Sequence, residues 1–152
     1  MDMEKLCKEF DEAVKMIGQK LLDNSNFCFV NYGTNHVKWS SQVPAIKKQL
    51  ETVKGNLYAL YIENMDNEKE LVYIGTSKNI SKRLQQHLVK CPKSTNSQLC
   101  KVKLYVNNHS GNCQVYYKVM EVPNKLRTSI EDELITMMKK KGLAKWNKRI
   151  NN

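Results

Sequence analysis

The chain has 152 residues, of which 41% are hydrophobic and 26% charged, and its formal net charge is +10. This length fits one domain with a real hydrophobic core and excludes a second full domain. Apolar runs are only a few residues long, so we expect no membrane span, no signal peptide and a cytoplasmic protein.

The positive charge is confined to the later part of the chain. Residues 1–53 hold seven lysines and seven acidic residues, so the whole excess lies in residues 54–152. Residues 71–120 contain no acidic residue and eight basic ones: Lys78, Lys82, Arg83, Lys90, Lys93, Lys101, Lys103 and Lys118. Such a stretch is typical of a polyanion binder, most often of nucleic acid, although a solvated Lys-rich surface has the same composition.

The first third of the chain predicts two helices and a short strand. Apolar residues three or four apart predict a helix over residues 3–22, and residues 27–32 fit a short strand. A second helix over residues 43–53 begins near Pro44. Residues 1–55 are therefore expected to form an N-terminal helical extension packed on the core.

The rest of the chain mixes strands and helices. The elements expected are two hairpin strands, a helix, an ambiguous segment, a strand and a last helix, over residues 57–63, 71–75, 78–90, 98–106, 114–122 and 129–141. The ambiguous segment fits a helix and a strand equally well. This order predicts an α+β domain over residues 56–152, with a small three-stranded, mostly antiparallel sheet flanked by helices.

Several chemically active side chains are predicted to meet where the hairpin ends. Because side chains alternate on a strand, Tyr61 and Tyr73 could lie side by side on antiparallel strands. Arg83 and His87 are four residues apart on the following helix, so they project from one face. Taken singly, the tyrosines are more typical of half-buried sheet residues, and Arg83 and His87 of a solvated helix face.

The motifs in this region resemble, in order, those of the GIY-YIG nuclease family. Ala59-Leu60-Tyr61 is a degenerate form of the first motif, whereas Tyr73-Ile74-Gly75 matches the second to the letter. The resemblance extends from residue 57 to residue 147 and implies the family's α+β fold. The positions that match the family's catalytic residues are Tyr61, Tyr73, Arg83, His87, Glu131 and Asn147.

The resemblance implies hydrolysis of phosphodiester bonds, normally in DNA, with one divalent ion such as Mg²⁺ or Mn²⁺. Glu131 matches the metal-binding carboxylate, and Arg83 matches the arginine that offsets charge on the scissile phosphate. One of the two matched tyrosines is proposed to activate the attacking water, assisted by His87. Asn147 matches an asparagine that supports the active site.

Glu131 has two competing interpretations. Thr128 and Glu131 together fit a capping box, in which the carboxylate would only close the start of a helix. Glu133 is a rival ligand on the same helix, but only Glu131 has the family's offset to the following Leu-Ile pair.

The biological role is the most open part of the sequence. The candidate DNA contacts are Lys78, Lys82, Lys90, Lys93, Lys101 and Lys103, and the segments 31–41 and 89–112 could read bases. A compact chain with helices before the core most resembles the type II restriction endonucleases, which act on double-stranded DNA and often as homodimers. The alternatives are a phage or mobile-element nuclease, an RNA-directed nuclease, and a binding module that has lost catalysis, to which the degenerate first motif points.

Overall fold

The structure is a computed structural model that describes residues 2–32, 42–63, 66–89, 101–108 and 114–148. In chain order its helices and strands are α1 (Met3–Leu22), β1 (Cys28–Val30), α2 (Val43–Leu50), β2 (Leu57–Glu63), β3 (Lys69–Thr76), α3 (Ile80–Leu88), α4 (Lys101–Asn108), β4 (Val115–Met120) and α5 (Arg127–Lys140). A 3-10 turn, Asn124–Leu126, leads into α5. No helix in these ranges is long and apolar enough to cross a membrane.

The four strands form one antiparallel sheet in the order β1-β4-β2-β3. The predicted α+β class is thereby confirmed, as is an antiparallel sheet preceded by a helix. The sheet has a fourth strand beyond the three expected, because β1 pairs with β4 through Phe29 and Tyr116. Periodicity indicated a strand near residues 27–32 but not its partner. The ambiguous segment around residues 98–106 is helical from Lys101.

The two faces of the sheet carry different helices. On one face, Tyr58 and Leu60 of β2 pack in a core with residues of α2, α3 and α4. On the other face, Leu57, Ala59 and Tyr61 pack in a second core with residues of α1 and α5. The molecule therefore has three layers, with the sheet between two groups of helices.

Residues 1–55 contribute to both of these cores. Val14 and Leu21 of α1 are buried in the second core, and Val30 and Ile46 lie in the first. Helix α1 approaches α5 closely at Gly18, where an added Cβ would lie 2.9 Å from the Met137 sulfur. The boundary between an extension over 1–55 and a domain over 56–152 stays a prediction.

Lys118 is a member of the cationic stretch that does not face solvent. It lies on β4, is buried, and its Nζ forms a 2.9 Å ion pair with Asp23 Oδ1. The same ammonium donates to the carbonyl oxygens of Lys20 and Asp23, at the end of α1. A cation suits the negative end of a helix dipole, so Lys118 fixes α1 to the sheet. It is therefore unsuited to contacting nucleic acid.

We expect this ion pair to make stability depend on acid pH. The hydrogen bond from Lys118 lowers the pKa of the Asp23 carboxyl from 3.8 to about 2. Because the unfolded chain takes up the proton first, the stabilisation is complete above about pH 4 and is lost as the pH falls towards 2. Thermal unfolding of Asp23→Asn should show a lower Tm than the wild type at pH 6 and an equal one near pH 2. Asp11→Asn, on an exposed part of α1, should follow the wild-type profile, and a constant deficit for Asp23→Asn would contradict the linkage.

Candidate active site

Three aromatic side chains form the centre of the candidate site. Tyr58 Oη lies 2.6 Å from His87 Nε2, and the ring centroids of Tyr58 and Tyr73 are 6.0 Å apart in a stacked arrangement. The Tyr73 and His87 rings are 4.7 Å apart, and the hydroxyls of the two tyrosines are close enough to influence each other's pKa. Tyr58 and His87 are buried, whereas Tyr73 is partly exposed.

Tyr61 lies on the opposite face of the sheet. Its hydroxyl donates to the Leu21 carbonyl oxygen at 2.7 Å, and its ring packs edge-on against Phe27. The prediction that Tyr61 and Tyr73 lie side by side is therefore wrong. Strand alternation alone does not fix the register, which pairs Tyr58 with Gly75 and shifts between Leu60 and Tyr61. Because the tyrosine beside Tyr73 is Tyr58, we assign the first motif to Asn56-Leu57-Tyr58 instead.

Gly75 makes room for the Tyr58 ring. A Cβ built on Gly75 would lie 2.3 Å from Tyr58 Oη and 2.4 Å from Cζ, closer than atoms can approach. The glycine of the second motif is thus required by the tyrosine of the first. Neither residue's isolated pattern shows this dependence.

Gly75→Ala should displace the Tyr58 ring and slow the phosphodiester hydrolysis that the family resemblance implies by roughly 10²-fold, because small displacements of a reacting group are costly. Single-turnover cleavage rates would measure the loss. Gly75→Ala combined with Tyr58→Phe should be little slower than Tyr58→Phe alone, since both changes act on one side chain. Fully additive losses would show that Gly75 acts elsewhere.

Helix α3 holds His87 and Arg83 one turn apart. The helix begins after Asn79, whose side chain accepts the Lys82 N–H, so Asn79 is the N-cap, and its own N–H donates to Ser77 Oγ. His87 is on the buried face and Arg83 is exposed. Burial, reinforced by the Arg83 charge, lowers the pKa of His87 to about 3, so the imidazole is neutral. Burial raises the pKa of Tyr58 and of Tyr73.

Glu131 is held beside the end of β3. The Thr76 hydroxyl donates to Glu131 Oε2 at 2.9 Å, and the side chain is half-buried. Burial raises the pKa of the carboxyl against this hydrogen bond. The capping-box interpretation is wrong, because α5 begins at Arg127 with no side-chain cap. Glu133 lies instead in the groove between α1 and α5.

Asn147 closes the outer edge of β3. Its Nδ2 donates to the Ile74 carbonyl at 2.8 Å, and its Oδ1 accepts the Ile74 N–H at 2.9 Å. Ala144 and Trp146 donate backbone N–H groups to Leu71 and Val72 of the same strand. The side chain thus replaces a neighbouring strand between Tyr73 and Gly75.

The predicted cationic residues fall into three groups. Lys78 and Lys82 are exposed, near the start of α3, and Lys101 is partly exposed on α4. Lys90, Lys93 and the Lys103 side chain lie outside the described residues, as do most of the 31–41 and 89–112 segments. Lys54, which sequence reasoning missed, lines an open cavity of about 340 Å³ with Lys78 and Asn79. Its only sequence signal is its place directly before the first strand of the motif region.

The oxygen donors at Glu131 suit a hard divalent ion. Mg²⁺ prefers oxygen, keeps several waters and needs one or two protein carboxylates. Within the described ranges no group of three or more His, Cys, Asp or Glu side chains is arranged to enclose a metal. This donor chemistry fits Mg²⁺ held by Glu131, water and substrate better than a closed zinc site.

Comparison with known proteins identifies the family. A family model described as the GIY-YIG catalytic domain matches residues 54–144, more than half of the chain. No curated protein and no solved structure matches the chain. The matched range contains Tyr58, Tyr73, Arg83, His87 and Glu131, and Asn147 lies three residues beyond it. The resemblance drawn from the motifs is thereby confirmed: the chain belongs to the GIY-YIG family and carries a domain of the nuclease, phosphodiester-hydrolysing type.

Proposed function

We propose that the protein is a metal-dependent endonuclease that hydrolyses phosphodiester bonds in double-stranded DNA. The observation that carries the proposal is the meeting of the Tyr58–Tyr73–His87 cluster with Arg83 and Glu131. The charges of Arg83 and Glu131 both act on the Tyr58 and Tyr73 hydroxyls, so all five groups lie within electrostatic reach. A proton acceptor, a phosphate-binding cation and a metal-binding carboxylate are the groups that this hydrolysis requires.

Arg83 and Glu131 handle charge at the scissile phosphate in this proposal. A phosphodiester is anionic and repels hydroxide. As water attacks, negative charge increases on the phosphate oxygens. The exposed guanidinium of Arg83 is free to approach the phosphate from α3. Glu131, oriented by Thr76, would hold Mg²⁺ or Mn²⁺, one ion per site, which supplies Lewis-acid stabilisation of the leaving oxygen.

The tyrosines and His87 form a path for the proton of the attacking water. Tyr73 is the partly exposed member and receives the water proton, while its own proton passes to Tyr58. Tyr58 in turn gives its proton to His87 Nε2, 2.6 Å away. Because burial keeps the imidazole neutral, the tautomer with hydrogen on Nδ1 has a lone pair on Nε2 that can accept this proton. Burial disfavours both a free phenolate and a lasting imidazolium, so the relay is concerted with attack, and the negative charge that grows on the phosphate offsets the positive charge on His87.

DNA contact is assigned to the cations around the start of α3. Lys54, Lys78 and Lys82 lie on exposed or open surface there, and Arg83 follows on the same helix. Lys101 extends the set towards α4, which packs on α3. Lys90, Lys93 and Lys103 remain candidates by sequence. This distribution supports contact with a phosphate backbone that passes over the Tyr73 hydroxyl.

We propose that the protein is a site-specific, restriction-type enzyme of the cytoplasm. We also propose a homodimer on DNA, because two active sites can cut both strands in one binding event. The alternative of a binding module without catalysis was based on a degenerate first motif. Asn56-Leu57-Tyr58 is also degenerate, but it keeps the tyrosine of that motif beside Tyr73, which favours the catalytic alternative.

Incubation of supercoiled plasmid with the protein and Mg²⁺ tests the proposal. We expect cleavage that stops when the metal is chelated, and discrete fragments rather than a smear. A matched RNA should stay intact, and sedimentation of a complex with uncut duplex should show two protein chains. Metal-independent cleavage would contradict the metal requirement, preferential loss of RNA would reassign the substrate, and DNA binding without cleavage would favour the non-catalytic module.

A further inference from the structure

Arg127 has a hydrogen-bonding group that the described structure does not use. Its Nε atom is buried and has no hydrogen-bond partner among the described residues. The residue as a whole is partly exposed. Nearly all buried polar groups in proteins are paired, and an unpaired one calls for an explanation such as a missing water, ion or ligand.

Arg127 stands next to the proposed metal ligand. It is the first residue of α5 and precedes Glu131 by four residues, so the two side chains lie on the same helix face. Burial raises the pKa of Glu131 while the charge of Arg127 opposes that rise, which places the two groups within electrostatic reach. Glu131 nevertheless takes its hydrogen bond from Thr76, and among the described residues no ion pair within 4.0 Å joins its carboxylate to Arg127.

The two arginines of the site come from opposite sides of the sheet. Arg83 is on α3, which packs on the Tyr58 face, and Arg127 is on α5, which packs on the other face and contacts β3. Thr76 ends β3 between these two helices. A strand of DNA whose scissile phosphate is at Glu131 would therefore meet one arginine on each side.

We propose that Arg127 is a second phosphate-binding residue, which grips a phosphate next to the scissile one. The inference rests on the proposed function. The Nε–H and one Nη–H of an arginine form a fork that matches two oxygens of one phosphate. A small rotation towards that phosphate would satisfy the buried Nε–H and leave Glu131 to the metal. The residue binds substrate and transfers no proton.

Salt-dependent binding tests this role separately from catalysis. The probe is a 30-bp duplex containing a site that the wild type cuts in the plasmid assay, kept intact in EDTA while Kd is measured from 50 to 200 mM KCl. Arg127→Gln should bind about tenfold more weakly at 100 mM and flatten the plot of log Kd against log salt by about 0.9, the value for one lost phosphate contact. Lys141→Gln, which removes the same charge beyond the far end of α5, should keep the wild-type slope.

The steady-state constants should divide in the same way. Arg127→Gln is expected to raise KM with kcat within a few-fold of wild type, whereas Arg83→Gln should lower kcat. An unchanged salt slope with a lower Tm would show that Arg127 is only structural and would overturn the inference. If Arg127→Gln does not fold, Arg127→Lys decides: several-fold weaker binding at unchanged Tm supports the fork contact, and wild-type affinity contradicts it. Failure of the wild type to cut DNA would instead sink the proposed function.

Discussion

Glu131→Gln should abolish metal-dependent cleavage while leaving the affinity for DNA close to that of the wild type. The amide keeps the size of the side chain and can still accept from Thr76, but it loses the charge that holds a divalent ion. We expect the single-turnover rate to fall by roughly 10³-fold or more, since the metal stabilises the most highly charged point of the reaction. Binding of Mn²⁺ measured by calorimetry should be lost in parallel.

Glu133→Gln provides the matched control for this change. Glu133 is two residues along the same helix, is exposed, and lies in the groove towards α1. It should cleave at the wild-type rate and keep the Mn²⁺ site. Undiminished cleavage by Glu131→Gln, or equal losses in the two variants, would contradict the assignment of Glu131 as metal ligand.

Tyr58→Phe should slow cleavage strongly, whereas Tyr61→Phe should not. Tyr58→Phe removes the hydroxyl that lies between Tyr73 and His87, so proton transfer is interrupted. We expect cleavage to slow by about 10²–10⁴-fold, the range for loss of a general acid–base group, with DNA affinity unchanged. Single-turnover rates at saturating protein would measure it, and a flattened dependence of rate on pH would identify proton transfer as the step affected.

Tyr61→Phe should be nearly fully active and slightly less stable. Its hydroxyl donates to the Leu21 carbonyl on the other face of the sheet, so its loss should cost about 1 kcal/mol of unfolding free energy in chemical denaturation. Strong loss of cleavage in Tyr61→Phe with an active Tyr58→Phe would restore the sequence-based choice of tyrosine. Loss in both variants without a change in stability would show that the two faces are coupled.

Sequence reasoning located most of the site because its residues follow strong local patterns. Tyr73 and Gly75 end a strand that runs into an amphipathic helix, and Arg83 and His87 follow at helical spacing. Glu131 is on a helix with clear apolar periodicity. The order of these elements along the chain was enough to predict that their polar side chains lie close together.

The predictions that were wrong or missing share one physical cause. In each case the position of the side chain depends on contacts between segments that are distant in the chain. A register shift within the β2–β3 pair changed which tyrosine faces Tyr73, and strand alternation alone has no information on such a shift. From composition, Lys118 belongs to the stretch predicted to bind a polyanion. In the structure it is buried against Asp23 and the end of α1, which lie nearly a hundred residues earlier in the chain. Thr76 could not be predicted from the sequence, because its role is to donate a hydrogen bond to Glu131, which is 55 residues away in the chain.

The segment that covers β3 also limits how this protein can associate with others. An uncovered edge strand offers a row of free N–H and C=O groups on which another chain can add a strand, a common route to aggregation. Ala144, Trp146 and Asn147 already occupy these groups along Leu71, Val72 and Ile74. Growth of the sheet is thus blocked on the side that carries the candidate active-site residues. At the opposite margin, Gln49 donates to the Phe29 carbonyl of the three-residue strand β1, so that edge is short and partly closed as well.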